Sequence, residues 1–437
     1  MRANIRRNEL TRVVIVGGGI GGLKLAMALR NTNYQVVLVD KNNYNQFPPL
    51  IYQVASAGLE PSNIAFPFRR MFQGRKNFFF RMANVTRIDE EEQAIETSVG
   101  LIHYNYLVLA QGATTNFFGN KDVEANAMPM KTVENAMMLR NKILMELERA
   151  ETEENPEARK QFLNFVIVGG GPSGVEIAGA LADMKHNVLP RDYPDLMDRM
   201  HIYLIDSGQR LLKAMDEKSG QRAYEDLRRM NVHVRFGWRV IDYKDNVVTA
   251  RNSETNEIKT LPSRCVIWVS GIRANTIGGV PQEAVGHAGR LLCDRFNRVR
   301  GMRGNVFCIG DQSLVEGDPE YKLGHPQLAQ VALQQAVNVV KNIRKMDAAD
   351  SPLPDEALTP FVYKNLGTMA TIGRKCAVAE IGKVKFGGFF AWLLWLVVHL
   401  RSILGVKNKF IVLLNWMWSY FNYKQSLRLI LRKNVEC

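Results

Sequence analysis

A chain of 437 residues has room for two or three domains of about 100–200 residues each. Its 46% hydrophobic content, without low-complexity runs, excludes a disordered or collagen-like protein. The formal net charge of +14 admits nucleic acid, anionic lipid or an anionic cofactor as partner.

The placement of that charge is informative. From Lys383 onward the cations Lys383, Lys385, Arg401, Lys407, Lys409, Lys424, Arg428, Arg432 and Lys433 are set against one acid, Glu436, in an apolar and aromatic tail. An anionic lipid surface is the expected partner, and nucleic acid is not. The cysteines Cys265, Cys293, Cys308, Cys376 and Cys437 are scattered with no CxxC pair, so neither a disulfide framework nor a metal or iron–sulfur site is expected. Residues 1–11 are short, polar and basic, without the apolar core of a secretory signal, so the catalytic body is expected to face the cytoplasm.

In chain order, Arg12–Arg30 holds an apolar β-branched strand, a glycine-rich turn and an Ala/Leu-rich helix, followed by a second strand ending at Asp40. A strand at Tyr106–Ala110 runs into Gln111-Gly112, and a polar, helix-prone connection follows around 135–156. The first pattern then recurs at Asn164–Asp183, with its following strand ending at Asp206. Strand Val306–Ile309 stops at Gly310-Asp311 and leads to a helix at about Gln327–Lys345. Asp347–Pro354 reads as a linker, and a third region lies beyond it. Two βαβ units predict two doubly wound α/β domains, the second inserted into the first.

The glycines at GxGxxG positions are Gly17, Gly19 and Gly22 in the first unit and Gly169, Gly171 and Gly174 in the second. The first of each set permits the tight turn, the second lets backbone N–H groups approach a pyrophosphate, and the third lets helix and strand pack closely. The acid closing the following strand, Asp40 or Asp206, is placed for ribose hydroxyls and would repel a 2′-phosphate, which favours NADH over NADPH. Arg210 lies close enough in sequence to Asp206 to bear on that preference, although an arginine at a strand–helix loop is commonly just solvated. Two nucleotide sites in one chain call for a hydride carrier between them. Side chains cannot hold a hydride, so one bound nucleotide should be a flavin.

With both fingerprints in place, the chain resembles the two-dinucleotide-binding flavoproteins, and most closely the type II, non-proton-pumping NADH:quinone oxidoreductases. The specific runs are PPLIYQVASAGLEP at Pro48–Pro61, YLVLAQG before the first-site turn, VIWVSGIRAN at Val266–Asn275, NVFCIGD ending at Asp311, HPQLAQVALQQA at His325–Ala336, and the aromatic tail. The resemblance implies an FAD domain of residues 1–125 and 302–346, an NADH domain of 126–301 and a membrane-anchoring helical region of 355–437. FAD would meet Gly17, Gly18, Gly19, Gly22, Asp40, Lys41 and Val85 around its adenosine half. Ala110, Gly112, Gly310 and Asp311 would follow towards the ribityl chain, and Ala329 and Gln330 would lie beside the isoalloxazine at the quinone pocket. NADH would meet Gly169, Gly171, Gly174, Asp206, Ser270 and Gly271, with Glu176 close to the nicotinamide–flavin contact. Gln111 departs from the family, in which many members carry threonine before the flavin-facing turn.

The catalytic candidates are thus Glu176, Gln330 and Gln334. Glu176 follows Gly174 and is expected in the first turn of its helix, where a carboxylate meets the positive end of the dipole. Gln330 and Gln334 are four apart on one helix face amid apolar residues, and their amides need partners, either a flavin or quinone carbonyl or a structural one. His325, beside Pro326, reads as a loop residue and not as catalytic.

Lys41–Gly58 contains no cysteine, so disulfide-reductase chemistry is disfavoured. Phe386–Leu400 and Phe410–Tyr423 are shorter than the roughly 20 apolar residues of a spanning helix. They are expected to lie in the membrane interface, with Trp392, Trp395, Trp416 and Trp418 at the headgroup boundary, although the first run shows no clean amphipathic stripe. A buried packing helix or a homodimer contact is the alternative use. The expected location is the cytoplasmic face of a bacterial inner membrane. The rival readings are a sulfide:quinone oxidoreductase, a soluble NADH-dependent reductase of a carrier protein, and a nucleotide-sensing scaffold.

Overall fold

The computed structural model describes residues 3–422 and 427–431. Tyr423, Lys424, Arg432, Lys433, Glu436 and Cys437, all invoked for the tail or the cysteine count, lie outside the described residues. Chain contacts define two compact units, one of Met1–Gln46, Phe66–Thr114 and Ile272–Asn365, the other of Phe47–Ala65, Thr115–Gly271 and Leu366–Cys437. The first unit regains the chain at Ile272, earlier than the return near residue 302 expected from the sequence.

The first unit is built on a five-stranded parallel sheet in the order Val306–Cys308, Tyr106–Leu109, Arg12–Val16, Gln35–Asp40 and Phe78–Met82. Every residue of Arg12–Val16 is buried, as the near-continuous apolar run of a strand covered on both faces requires. In-register pairs such as Val14↔Val37 and Ile15↔Leu38 set the two strands flanking the first glycine turn. Helix Ile20–Ala28 leaves that turn and packs against helix Ala329–Asp347. The latter carries Arg344 and Lys345 in its last turn, where cations complement the dipole. A three-stranded antiparallel sheet, Val85–Asp89, Ala94–Thr97 and Gly100–His103, completes a core that includes Ile88, Ile95 and Ile102.

The second unit repeats the plan, in the order Met128–Pro129, Cys265–Trp268, Asn164–Val168, His201–Asp206 and Val232–Phe236, again all parallel. The polar connection expected around 135–156 lies inside this unit, where Val133–Thr152 is a 20-residue helix started by a capping box between Thr132 and Asn135. The C-terminal region opens with a feature the sequence reading did not foresee, a three-stranded antiparallel sheet of Thr368–Thr371, Ala377–Ile381 and Val384–Gly387. It packs on helices Pro172–Asn187 and Glu217–Arg229. Helices Phe389–Ser402 and Val406–Asn422 follow, so Phe386 belongs to a strand and not to the first apolar helix.

Candidate active site

At the first glycine turn, Gly17 has φ +101°, and a Cβ there would lie 2.3 Å from the Ala110 carbonyl oxygen. A Cβ on Gly22 would lie 1.9 Å from the Gly17 carbonyl oxygen, whereas one on Gly19 would meet nothing within 4 Å. The turn is therefore closed beneath and open at the N-terminus of helix Ile20–Ala28. Asp40 spans its side: Oδ2 accepts from Gly18 N at 2.6 Å and Oδ1 from Asn42 N at 2.7 Å. Burial raises the Asp40 carboxyl above its ordinary value against these two bonds. Lys41 is exposed next to it, and Val85 is half-buried at the start of its strand.

The second turn has the same construction. Gly169 has φ +117° and a Cβ on it would lie 3.0 Å from Ser270 Cα, a Cβ on Gly174 would lie 1.8 Å from the Gly169 carbonyl oxygen, and one on Gly171 would meet open space. Asp206 accepts from Gly170 N at 2.6 Å and from Gly208 N at 2.7 Å. Gly271, after Ser270, is exposed with φ +81°. Arg210 is not merely solvated. Its guanidinium donates to the Met215 and Lys213 carbonyls at 2.9 Å each and holds the loop after Asp206.

Beyond the first turn, Ala110 is buried and Gly112 adopts φ +65°. Gln111 and Gln312 form a reciprocal pair: Gln111 N donates to Gln312 Oε1 at 3.0 Å, and Gln312 Nε2 donates to Gln111 Oε1 at 3.0 Å and to the Asn275 carbonyl at 2.9 Å. The Gln111 side chain is thus matched by its partner Gln312. Gly310 N donates to Gln335 Oε1 at 2.7 Å, and the Asp311 carbonyl accepts from Gln327 Nε2 at 2.8 Å.

Helix Ala329–Asp347 begins with Ala329 exposed and Gln330 half-buried. Gln334 donates to the Lys364 carbonyl at 2.9 Å and accepts from Lys364 N at 2.9 Å, so both ends of its amide secure the segment before residue 366. Gln335, which the sequence reading passed over, is the fully buried member of the series.

Glu176 is the fifth residue of helix Pro172–Asn187, one residue past the first turn in which it was expected. The first turn is Pro172–Val175, so the dipole argument made for Glu176 carries less weight. Its side chain keeps some accessible surface but is crowded by protein, and burial pushes its carboxyl up to about 8 against a bond from the Thr371 backbone. The Tyr52 phenol stands close enough for the two to interact electrostatically, and burial raises that phenol as well. Tyr52 Oη lies 3.0 Å from Thr371 Oγ1 and accepts from Gln53 Nε2 at 3.0 Å. Gln53 Oε1 in turn accepts from Trp416 Nε1 at 2.9 Å. Sequence reasoning singled out Glu176 and passed over its neighbours Tyr52, Gln53 and Thr371, although Tyr52 and Gln53 sit inside the quoted Pro48–Pro61 run.

In the tail, Trp395 is 1% exposed and stacks on His399 with ring centroids 4.0 Å apart, which removes it from the headgroup boundary. Trp392 and Trp416 are half-buried, and Trp418 is 61% exposed. The fold supplies an exposed apolar stripe opposite a buried face, not an amphipathic one. Ala391 and Trp395 are buried on one face of the first helix, while Phe389, Phe390, Leu393 and Val397 are exposed.

The sequence matches the pyridine nucleotide-disulphide oxidoreductase family over residues 11–336 and the NDH2 C-terminal domain over 365–423. It is 34% identical to the type II NADH:quinone oxidoreductase Ndh of Mycobacterium tuberculosis over 428 residues, 95% of this chain and 89% of that protein. The chain belongs to the type II NADH:quinone oxidoreductase family. An internal alternative NAD(P)H-ubiquinone oxidoreductase A1 of Arabidopsis thaliana mitochondria is 28% identical over 96% of the chain and 86% of its own length. Among solved structures, NDH2 of Plasmodium falciparum in complex with NADH superposes with a TM-score of 0.86 at 22% identity, covering 97% of this chain and all of that one. A sulfide:quinone oxidoreductase of Aquifex aeolicus gives 0.68 at 18% identity over 96% and 92%. These two likenesses establish the fold. For a type II oxidoreductase the first turn fits the flavin nucleotide that the family uses, because the side of Gly19 left open is the side on which a pyrophosphate approaches a helix N-terminus.

Proposed function

We propose that the first unit holds FAD, the second binds NADH, and the chain oxidises NADH and reduces a quinone at a membrane surface without pumping protons. The observation that carries this is the duplicated turn, each copy with an open glycine face, an acid bonded to the turn's own amide, and backbone pressed against its first and third glycines. FAD, when bound, supplies the two-electron chemistry that connects a hydride donor to a quinone. Asp40 and Asp206 keep oxygen lone pairs for ribose hydroxyls while holding the turns, and their carboxylates disfavour a 2′-phosphate. Val85, Ala110, Gly112, Gly310 and Asp311 complete the flavin side, and Ser270 and Gly271 the NADH side. Ala329 and Gln330 serve the quinone. Glu176, protonated at neutral pH, holds a proton on its carboxyl beside the nicotinamide end. Gln334 keeps its structural role.

The purified chain in mild detergent is expected to carry a flavin spectrum that NADH bleaches, that NADPH bleaches far more slowly, and that a short-chain quinone restores. Bleaching without recovery would move the acceptor to a carrier protein, as in the soluble-reductase reading, and absence of flavin would remove the central claim.

The tail is assigned to a lipid surface, on the cytoplasmic face of a bacterial inner membrane. Among the described residues no helix is long and apolar enough to cross a membrane. Helix Val406–Asn422 exposes Phe410, Leu413, Leu414, Met417 and Trp418 at helical spacing, matching the stripe on its predecessor. Lys383, Arg401 and Lys407 are exposed nearby along the chain and suit anionic headgroups. A homodimer through the same stripes is the second use. Replacing Phe390 and Leu393 together by aspartate is expected to cut binding to anionic vesicles at least tenfold, since each buried large apolar side chain contributes about 1.5–3 kcal/mol, while NADH-dependent flavin bleaching is unchanged. Undiminished vesicle binding with loss of a dimer would give the stripes to a second copy.

A further inference from the structure

His325 reads in the sequence as a loop residue next to a proline. In the fold it is 1% exposed, three residues before the end of the segment Glu316–Leu328, which contains neither helix nor strand and ends where helix Ala329–Asp347 begins. Its ring lies 4.9 Å from Tyr321, 5.0 Å from Phe361 and 5.9 Å from Tyr363, centroid to centroid. Its Nε2 is 3.0 Å from Asp318 Oδ2. Its carbonyl accepts from Arg290 Nη2 at 2.9 Å, and the same guanidinium donates to the Ser313 carbonyl at 2.6 Å. Nδ1 is buried and has no partner among the described residues. The proton of a neutral ring is therefore best placed on Nε2, donated to Asp318, and burial keeps the ring neutral by lowering its pKa.

This anchoring reaches the site along two routes. Gln327, two residues on, donates from Nε2 to the Asp311 carbonyl at 2.8 Å. Val331, in the first turn of the helix, packs with Phe361 and Tyr363, two of the rings that enclose His325. The helix starts at Leu328, an apolar residue that offers its N–H groups no side-chain acceptor, so the position of its first turn is set from outside the helix.

We propose that His325, clamped by Asp318 inside the Tyr321–Phe361–Tyr363 box, is a positioning residue that fixes the first turn of helix Ala329–Asp347 and thereby orients Gln330 towards the electron acceptor. This rests on the assignment of Ala329 and Gln330 to the quinone side. A clamp of this kind acts on the acceptor half-reaction and leaves hydride entry alone. Packing keeps the ring's bulk in place, and the directed bond to Asp318 sets the turn's register.

The test uses the full holoenzyme and the variants His325→Leu, which keeps bulk and removes the donor, His325→Gln, which returns an Nε2 donor, and Asp318→Asn, which sits nearer the surface in case the first does not fold. For His325→Leu, kcat/KM for a short-chain quinone is expected to fall about tenfold, with the NADH:ferricyanide rate and flavin content within twofold of wild type. His325→Gln should recover to within threefold, and Asp318→Asn should show a smaller loss in the same direction. Hydrogen exchange read on the protein itself should rise in residues 316–331 for His325→Leu. An unchanged quinone kcat/KM would overturn the proposal, as would parallel losses of the quinone rate, the ferricyanide rate and thermal stability, the signature of plain packing. A wild-type enzyme that reduced ferricyanide but no quinone would overturn the acceptor-site assignment itself and this proposal with it.

Discussion

Gly22→Ala is expected to yield a chain that retains no flavin and melts well below wild type. The added Cβ would stand 1.9 Å from the Gly17 carbonyl oxygen, and the obstacle is backbone, which cannot swing aside as a side chain can. Core overpacking typically costs about 1–3 kcal/mol, and contact with rigid backbone belongs at or above the upper end. Gly19→Ala provides the contrast. Its Cβ points into open space, so stability without flavin should stay within about 0.5 kcal/mol of wild type. Flavin retention should nevertheless fall at least tenfold, because that space is where a pyrophosphate must come close to the amides. Absorbance of the flavin per mole of protein, read beside the melting temperature, separates the two. A fully flavinated Gly19→Ala protein would show that the open face is not the phosphate face.

The second large effect concerns Glu176. Its carboxyl is raised to about 8 by burial, while in the unfolded chain it ionises near the ordinary carboxylate value of about 4.3. A raised folded value means a contribution fully present below the unfolded value and lost progressively as pH rises through that window to about 8. The loss is at most about 1.4 kcal/mol per pH unit. Glu176→Gln cannot ionise and escapes it. The variant should therefore melt at the wild-type temperature at pH 4 and clearly above it at pH 9. In turnover the amide copies the protonated carboxyl but cannot release its proton, so kcat is expected to drop at least tenfold and the inflection near pH 8 to disappear. Identical melting shifts at both pH values would mean that the carboxyl is not held protonated, and an unaltered pH–rate profile would remove it from proton handling.

The two βαβ units were legible because their constraint is steric and local. A glycine is needed wherever a Cβ would strike backbone, and that need is written into the chain at fixed spacing, as at Gly17, Gly22, Gly169 and Gly174. What was not legible depends on residues far apart in sequence. The surroundings of Glu176 come from Tyr52 and Thr371, and the box around His325 from Phe361 and Tyr363. Helix phase was the other blind spot. With glutamines at 330, 334 and 335, periodicity alone could not tell that Gln335 turns inward to Gly310 while Gln334 reaches across to Lys364. Trp395 likewise has the same composition signal as Trp418, and only packing distinguishes a core residue from a surface one. The sheet Thr368–Gly387 escaped notice because its strands are four or five residues long, too short for alternation to register.

The amide side chains that bridge the loops of the first unit also bear on how the protein meets a changing environment. Gln111, Gln312 and Asn275 interlock, and Gln335 bridges the amide of Gly310 and the hydroxyl of Ser313, whose own oxygen lies 3.0 Å from the Gly310 carbonyl. None of these side chains gains or loses a proton between strong acid and strong alkali, and none carries a net charge for dissolved ions to screen. That interlock therefore has no ionisable member of its own, and acid or alkali reaches it only through its neighbours, the His325–Asp318 pair ahead of the same helix among them.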